Sequence, residues 1–222
     1  MGIEVKDLFD LEHTRAASYL SGFQYPWEAL AGISDFILEL GKTLPADEFD
    51  HPAEDVWIAK DVKFYIRETN YINGPAIIGH GTEVRPGAFL RGSVLIGDNC
   101  VIGNSTELKN VILFDNVQVP HYNYVGDSIL GYKAHMGAGS ITSNVKSDKL
   151  NVVIKTGDEE IPTNRKKVGA MLGDRVEVGC NSVLNPGTVI GRDSNVYPTS
   201  GVRGVIPPNS IYKAGGKIVT KE

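Results

Sequence analysis

Ile78-Gly79-His80-Gly81-Thr82-Glu83-Val84-Arg85-Pro86-Gly87-Ala88-Phe89-Leu90 sets a period that the chain repeats over more than half its length. An aliphatic residue leads every sixth position. The series runs Ile78, Val84, Leu90, Ile96, Ile102, Leu108 without a break, and again Leu172, Val178, Leu184, Ile190, Val196, Val202. Between them lie Leu113, Val119, Val125 and Leu130, Met136, Thr142, each trio stepped by six and joined by slips of one residue. Of these 18 leads only Thr142 is not apolar, and nine are followed directly by glycine, where composition alone gives about two. The fourth residue after a lead is often small, as at Ala88, Cys100, Thr106, Ala134, Ser140, Ser182 and Ser200.

A period of six fits neither an amphipathic helix, whose apolar stripe returns at 3.6, nor an ordinary strand, which alternates at two. It fits a short strand plus a turn. Each hexad then supplies one flat face with its lead pointing inward, and three faces close a triangular coil of 18 residues. Coils stacked at the inter-strand spacing of ~4.8 Å make a prism of about six turns, roughly 29 Å tall. The expected class is therefore all-β, a parallel β-helix of hexapeptide repeats. Its stability is a sum of nearest-neighbour stacking terms, and its ends need covering.

The rest of the chain sorts around residues 51–210. Residues 1–50 read as helical: Pro26 suits a first helical position, and Trp27, Leu30, Ile33, Phe36, Ile37 and Leu40 follow at helical spacing before Gly41. A shorter helix is expected from about Leu11 to Leu20. The plainest use of this segment is packing, over a coil end or a neighbouring subunit. Residues 145–171 leave the register as an inserted loop, and Leu150 to Arg165 alternates like a hairpin turning at Thr156-Gly157-Asp158. Residues 211–222 form a tail.

Hydrophobic residues make up 41% and charged residues 22%, globular values that exclude a disordered chain. A formal charge of −5 argues against nucleic acid or an anionic membrane as partner, since either needs an excess of Lys and Arg. No apolar run approaches the ~20 residues of a membrane span, and Met1 to Asp10 lacks a basic n-region, so the expected address is the cytoplasm. The two cysteines, Cys100 and Cys180, agree with a reducing compartment.

An anionic substrate of an acidic chain must meet a local basic cluster. Arg85, Lys109, Lys166 and Lys167 lie on or beside the coils, and Asn144 stands where the loop begins. His121 falls two residues after an inward lead, on the same face as Arg85 and two coils above it. From spacing alone this is either a functional cluster or a set of solvated side chains. His13, His51 and His80 have less company. Zinc held between coils would want histidines one hexad apart, and His121 and His135 are not so spaced, so no metal is expected.

At Arg85-Pro86-Gly87-Ala88, Gly103-Asn104-Ser105-Thr106-Glu107-Leu108-Lys109, Pro120-His121-Tyr122-Asn123-Tyr124-Val125-Gly126-Asp127 and Gly137-Ala138-Gly139-Ser140-Ile141-Thr142-Ser143-Asn144 the chain resembles a family. It is the acetyltransferase domain of the bifunctional N-acetylglucosamine-1-phosphate uridyltransferase/glucosamine-1-phosphate acetyltransferases. Arg165-Lys166-Lys167-Val168-Gly169-Ala170-Met171-Leu172-Gly173-Asp174 is similar to archaeal sugar-1-phosphate nucleotidylyltransferases that also acetylate amino sugars. The resemblance runs from about Ile78 to Val202. It implies a left-handed β-helix, a homotrimer with sites between subunits, acetyl-CoA as donor and an amino-sugar 1-phosphate as acceptor. It further implies His121 as general base, Arg85, Lys109, Tyr124 and Lys166 or Lys167 on the sugar phosphate, Asn144 on the sugar, and Ala138, Cys180 and Lys217 beside CoA. The chain departs from the family pattern at His135 (usually asparagine), at Cys180 (usually serine) and in one additional hexad between Arg85 and Lys109.

Those roles are chemically coherent. An amine sheds a proton as it attacks a thioester, and an imidazole, with a reference pKa of about 6.5, accepts one at neutral pH. Two other readings stay open: a non-catalytic trimeric scaffold that binds a sugar phosphate or nucleotide, and a nucleotidyltransferase by similarity. The second lacks its G-x-G-T-R loop in this sequence.

Overall fold

The computed structural model describes residues 2–157 and 159–221. The hexads build a left-handed parallel β-helix with three faces. The first face stacks Val56–Ala59, Ala76–Ile78, Val94–Ile96, the second half of Glu107–Leu113, the second half of Tyr124–Leu130, Ala170–Leu172, Thr188–Ile190 and Val205–Ile206. The second runs from Lys63–Phe64 through Glu83–Val84, Val101–Asn104, Gln118–His121, His135–Met136, Glu177–Val178 and Asn195–Val196 to Ser210–Tyr212. The third carries Tyr71–Ile72, Phe89–Leu90, the first halves of Glu107–Leu113 and Tyr124–Leu130, Ile141–Thr142, Val183–Leu184 and Gly201–Val202.

The leads fill the prism axis, and Ile78, Val84, Leu90, Ile102, Leu108 and Val125 are fully buried. Small residues four positions on bond to backbone carbonyls at the corners. Thr106 Oγ1 donates to Val119 O at 2.9 Å, and Ser140 Oγ to Gly137 O at 2.7 Å. The Cys100 thiol sits in the same kind of niche, and burial pushes its pKa up to about 12. Glycine after a lead lets coils meet: a Cβ on Gly103 would stand 1.6 Å from the Pro120 carbonyl oxygen.

Two slips in the hexad register fall where the third face turns into the first. There a single strand runs on around the corner, and Asn110 and Asp127 make the turn in the left-handed region, at φ 55° and 50°. Asn and Asp tolerate that conformation better than other side chains, because their short polar groups bond locally.

The N-terminal segment differs from expectation in form and place. Leu11 to Leu20 is broken into Leu11–His13 and Ala17–Leu20 around an extended Thr14 at φ −158°. Pro26–Ala31 and Ile33–Gly41 are separate turns, with Gly32 at φ −106° and ψ 8° between them. The segment lies along the first face rather than over a coil end. It descends coil by coil: Asp174 N donates to Leu8 O at 3.0 Å, Asp115 N to His13 O at 3.0 Å, and Arg15 pairs with Asp98 at 2.7 Å. The reason is the outer side of that face, where Ile77, Leu95, Ile112, Ile129, Met171 and Val189 precede the leads and are apolar. They are buried in one core with Trp27, Leu30, Ile33 and Ile37. Antiparallel strands lie at the ends, Phe49–Ala53 on Val56–Ala59 and Ile218–Thr220 on Ser210–Tyr212.

Candidate functional site

The corner between the third and first faces gathers Lys109, Tyr124 and Asn144 of the residues expected on the acceptor around one carboxylate, while Arg85, expected with them, lies at the other edge of the third face. Asp127, with 2% of its side chain exposed, accepts from Lys109 Nζ at 3.0 Å and Asn110 Nδ2 at 2.9 Å on Oδ1. Its Oδ2 accepts from Asn144 Nδ2 at 2.6 Å, and the same amide reaches the Tyr124 hydroxyl at 3.2 Å. Burial holds the Tyr124 phenol above its ordinary pKa, opposed in part by the Asn144 hydrogen bond. Gly126 makes room for the phenol, since a Cβ there would stand 2.5 Å from its oxygen.

The inserted loop leaves and returns at this corner. Val145 and Lys167 form an antiparallel bridge, Val168 N donates to Asn144 O at 3.0 Å, and Gly169 N to Asp127 O at 2.8 Å. Between these ends the expected hairpin forms from Val153–Thr156 and Glu159–Pro162; Asp158, expected in its turn, lies outside the described residues. The closed loop base brings Lys166 and Lys167 into a cavity of about 570 Å³ with Lys109, Asn110 and Asp127.

His121 and Arg85 lie at the opposite edge of the third face, where the second face ends. Val84 and Val119 both pair with Ile102, which puts the two residues two coils apart. Arg85 Nη1 reaches the Pro120 carbonyl, next to His121, at 3.5 Å, while its Nε is held by Glu83 at 2.5 Å. His121 is exposed, and among the described residues its imidazole has no hydrogen-bond partner. Along this same edge Gly139 N donates to His121 O at 3.0 Å, Asn181 N to Ala138 O at 2.8 Å and Thr199 N to Cys180 O at 2.8 Å. The expected donor-side residues Ala138 and Cys180 therefore rise above His121 on successive coils, and Cys180 is exposed. Lys217 lies exposed on the C-terminal hairpin, where Lys213 N donates to its carbonyl at 2.8 Å.

His135 lies on the second face and bonds Glu177 at 2.8 Å. His80 is held by Asp61 at 3.0 Å. Sequence reasoning missed Asp127, Asn110 and Arg165, which stand with Lys109 and Lys167 at the corner between the third and first faces. The signal for the first two was the register slip at each, where the chain turns the corner in the left-handed region.

Comparison with known proteins gives consistent results. The family model described as the GMPPB C-terminal domain matches residues 72–207. A bifunctional protein GlmU from Methanococcus aeolicus is 34% identical over 182 residues, covering 74% of this chain and 44% of that protein. A bifunctional sugar-1-phosphate nucleotidylyltransferase/acetyltransferase from Sulfurisphaera tokodaii is 32% identical over 148 residues, 67% of this chain and 37% of that protein. The chain thus spans less than half the length of these relatives. Among solved structures, PerB from Caulobacter crescentus, in complex with CoA and GDP-perosamine, matches with 20% identity and a TM-score of 0.42 over 72% of this chain and 58% of that one.

Proposed function

The chain belongs to the GMPPB C-terminal domain family, and from that premise we propose that it is an N-acetyltransferase moving the acetyl group of acetyl-CoA to an amino-sugar 1-phosphate. The observation that carries the reading is His121: an exposed imidazole without a partner among the described residues, beside Arg85 on the edge of the third face opposite to that of Lys109, Tyr124 and Asn144. The amine nitrogen attacks the thioester carbonyl as His121 takes its proton. The tetrahedral adduct collapses to the amide, and the CoA sulfur leaves as a thiolate that regains a proton. Four coil steps, roughly 19 Å at the inter-strand spacing, separate the His121 strand from the last strand of that face. An extended pantetheine arm suits this length, passing Ala138 and Cys180 toward Lys217.

Glucosamine or galactosamine 1-phosphate is the acceptor class, because Lys109, Lys166 and Lys167 beside a sugar-sized cavity ask for a dianion. The product would feed nucleotide-sugar synthesis such as that of UDP-N-acetylglucosamine, in the cytoplasm. No helix among the described residues is long and apolar enough to cross a membrane. The working assembly is a homotrimer, since His121 and the Asp127 corner stand at opposite edges of the third face.

The test is thiol release from acetyl-CoA with glucosamine or galactosamine, each with and without the 1-phosphate. Turnover that depends on the phosphate supports the proposal. No turnover with any amino sugar makes the chain a binding scaffold, and equal turnover of free amino sugars removes the phosphate from the substrate class.

A further inference from the structure

The cavity at the Asp127 corner has a wall that no repeat supplies. Leu30, Ala31 and Ser34 of the N-terminal segment face Lys109, Asn110, Asn164, Arg165, Lys166 and Lys167 across it. Asn110 stitches the wall to the site, its Nδ2 lying within reach of both Leu30 O, at 3.2 Å, and Asp127 Oδ1, at 2.9 Å. Of the four basic residues lining the cavity only Lys109 has a carboxylate partner. Among the described residues no acidic group lies in ion-pair contact with Arg165, Lys166 or Lys167.

Arg165 differs from its neighbours. Its main chain is fixed at the hairpin base, where its carbonyl accepts from Val152 N at 2.8 Å and its own N–H donates to Thr163 Oγ1 at 3.2 Å. Its Nε is buried and lacks a hydrogen-bond partner. A buried guanidinium nitrogen left unpaired is costly, and a phosphate oxygen is the acceptor that its planar fork fits best. The Tyr19 hydroxyl donates to Ala29 O at 2.5 Å, in the turn Pro26–Ala31 that also carries Leu30 and Ala31 of the wall.

We infer that Arg165 and the wall formed by Ala31 and Ser34 complete the phosphate end of the acceptor site, making the N-terminal segment part of substrate recognition. The inference rests on the acceptor being a phosphate ester. Arg165 supplies a directional contact that Lys166 and Lys167, both exposed, cannot hold rigidly, and the wall excludes water from one side of the anion.

Calorimetric titration of the full chain with glucosamine 1-phosphate and with inorganic phosphate, without acetyl-CoA, tests it. The proteins are wild type, Arg165→Gln, Ala31→Trp, which fills the cavity from an exposed wall position, and Lys42→Gln, which removes an exposed cation away from the cavity, each checked by thermal melting. Arg165→Gln and Ala31→Trp should weaken the sugar phosphate roughly tenfold or more, the scale of a lost charge-assisted contact, while Lys42→Gln binds as wild type. Wild-type binding by both Arg165→Gln and Ala31→Trp overturns the inference and leaves the transferase reading intact. Arg165-dependent binding of inorganic phosphate without binding of the amino-sugar phosphate keeps the anion site and defeats the proposed acceptor.

Discussion

At His121 the backbone is committed and the side chain is free. Its N–H donates to Asn123 Oδ1 at 3.0 Å, its carbonyl accepts from Gly139, and its ring has no partner among the described residues. His121→Ala should therefore cut turnover by roughly 10²–10⁴ and leave the melting temperature almost unaltered. Parallel loss of folding and activity would make the residue structural. Asp127 is the reverse case, a side chain saturated by Lys109, Asn110 and Asn144. Asp127→Ala strips Lys109 of its carboxylate and leaves Asn110 and Asn144 with only Leu30 O and the Tyr124 hydroxyl, so the KM for the sugar phosphate should rise by about tenfold or more while that for acetyl-CoA stays put. Asp127→Asn should recover part of the loss, because one carbonyl oxygen remains. Equal changes in both KM values would assign Asp127 to general packing. His121 was legible from the sequence through its motif and its off-core position. Asp127 stood in the same motif and was passed over, since a carboxylate has no evident task in an anion site until its three donors are seen.

The hexads were legible as elements because one rule, an apolar lead every six residues, repeats with few exceptions. The N-terminal segment was legible only as helical turns. Its docking was written one position before the leads of the first face, in Ile77, Leu95, Ile112 and Ile129, where the second face has Glu83, Gln118, His135 and Glu177. A face apolar on both sides needs a cover, and that pattern is visible only once the hexads are sorted into threes. Asp174 fastens this cover: it is fully buried, accepts from Asp10 N at 2.7 Å and Tyr132 N at 2.9 Å, and lies 3.3 Å from Arg192. Burial raises its pKa, outweighing those hydrogen bonds and the charges of Arg192 and Arg175. The folded chain thus binds this proton more tightly than the unfolded chain does. Stability contributed through that proton is full below the ordinary carboxylate range and declines as pH rises through the raised value. The melting temperature of wild type minus that of Asp174→Asn should accordingly fall from acid toward neutral pH. A difference that grows with pH would mean that the Arg192 pairing dominates.

For the whole molecule, the third face is the surface on which the proposed trimer rests. Tyr71, Phe89 and Val183 point outward on it at 60%, 39% and 37% exposure, with Tyr71 and Phe89 packed edge to face at 5.4 Å. The same face separates His121 on one edge from Lys167 on the other. Three prisms packed around a common axis would cover such a face and bring the His121 edge of one copy toward the Lys167 edge of the next. Light scattering should then give three times the 24.1 kDa chain mass, and Phe89→Lys should lower mass and turnover together. Mixing makes the sharper test. His121→Ala and Lys167→Ala are each expected to be nearly inactive alone, but mixed trimers would contain some interfaces where an intact His121 faces an intact Lys167. Co-expression of the two variants should therefore restore part of the wild-type rate. If the mixture is no more active than its components while differently tagged chains co-purify as mixed trimers, each chain carries its own complete site. A wild-type monomer with full activity would reject the shared site outright.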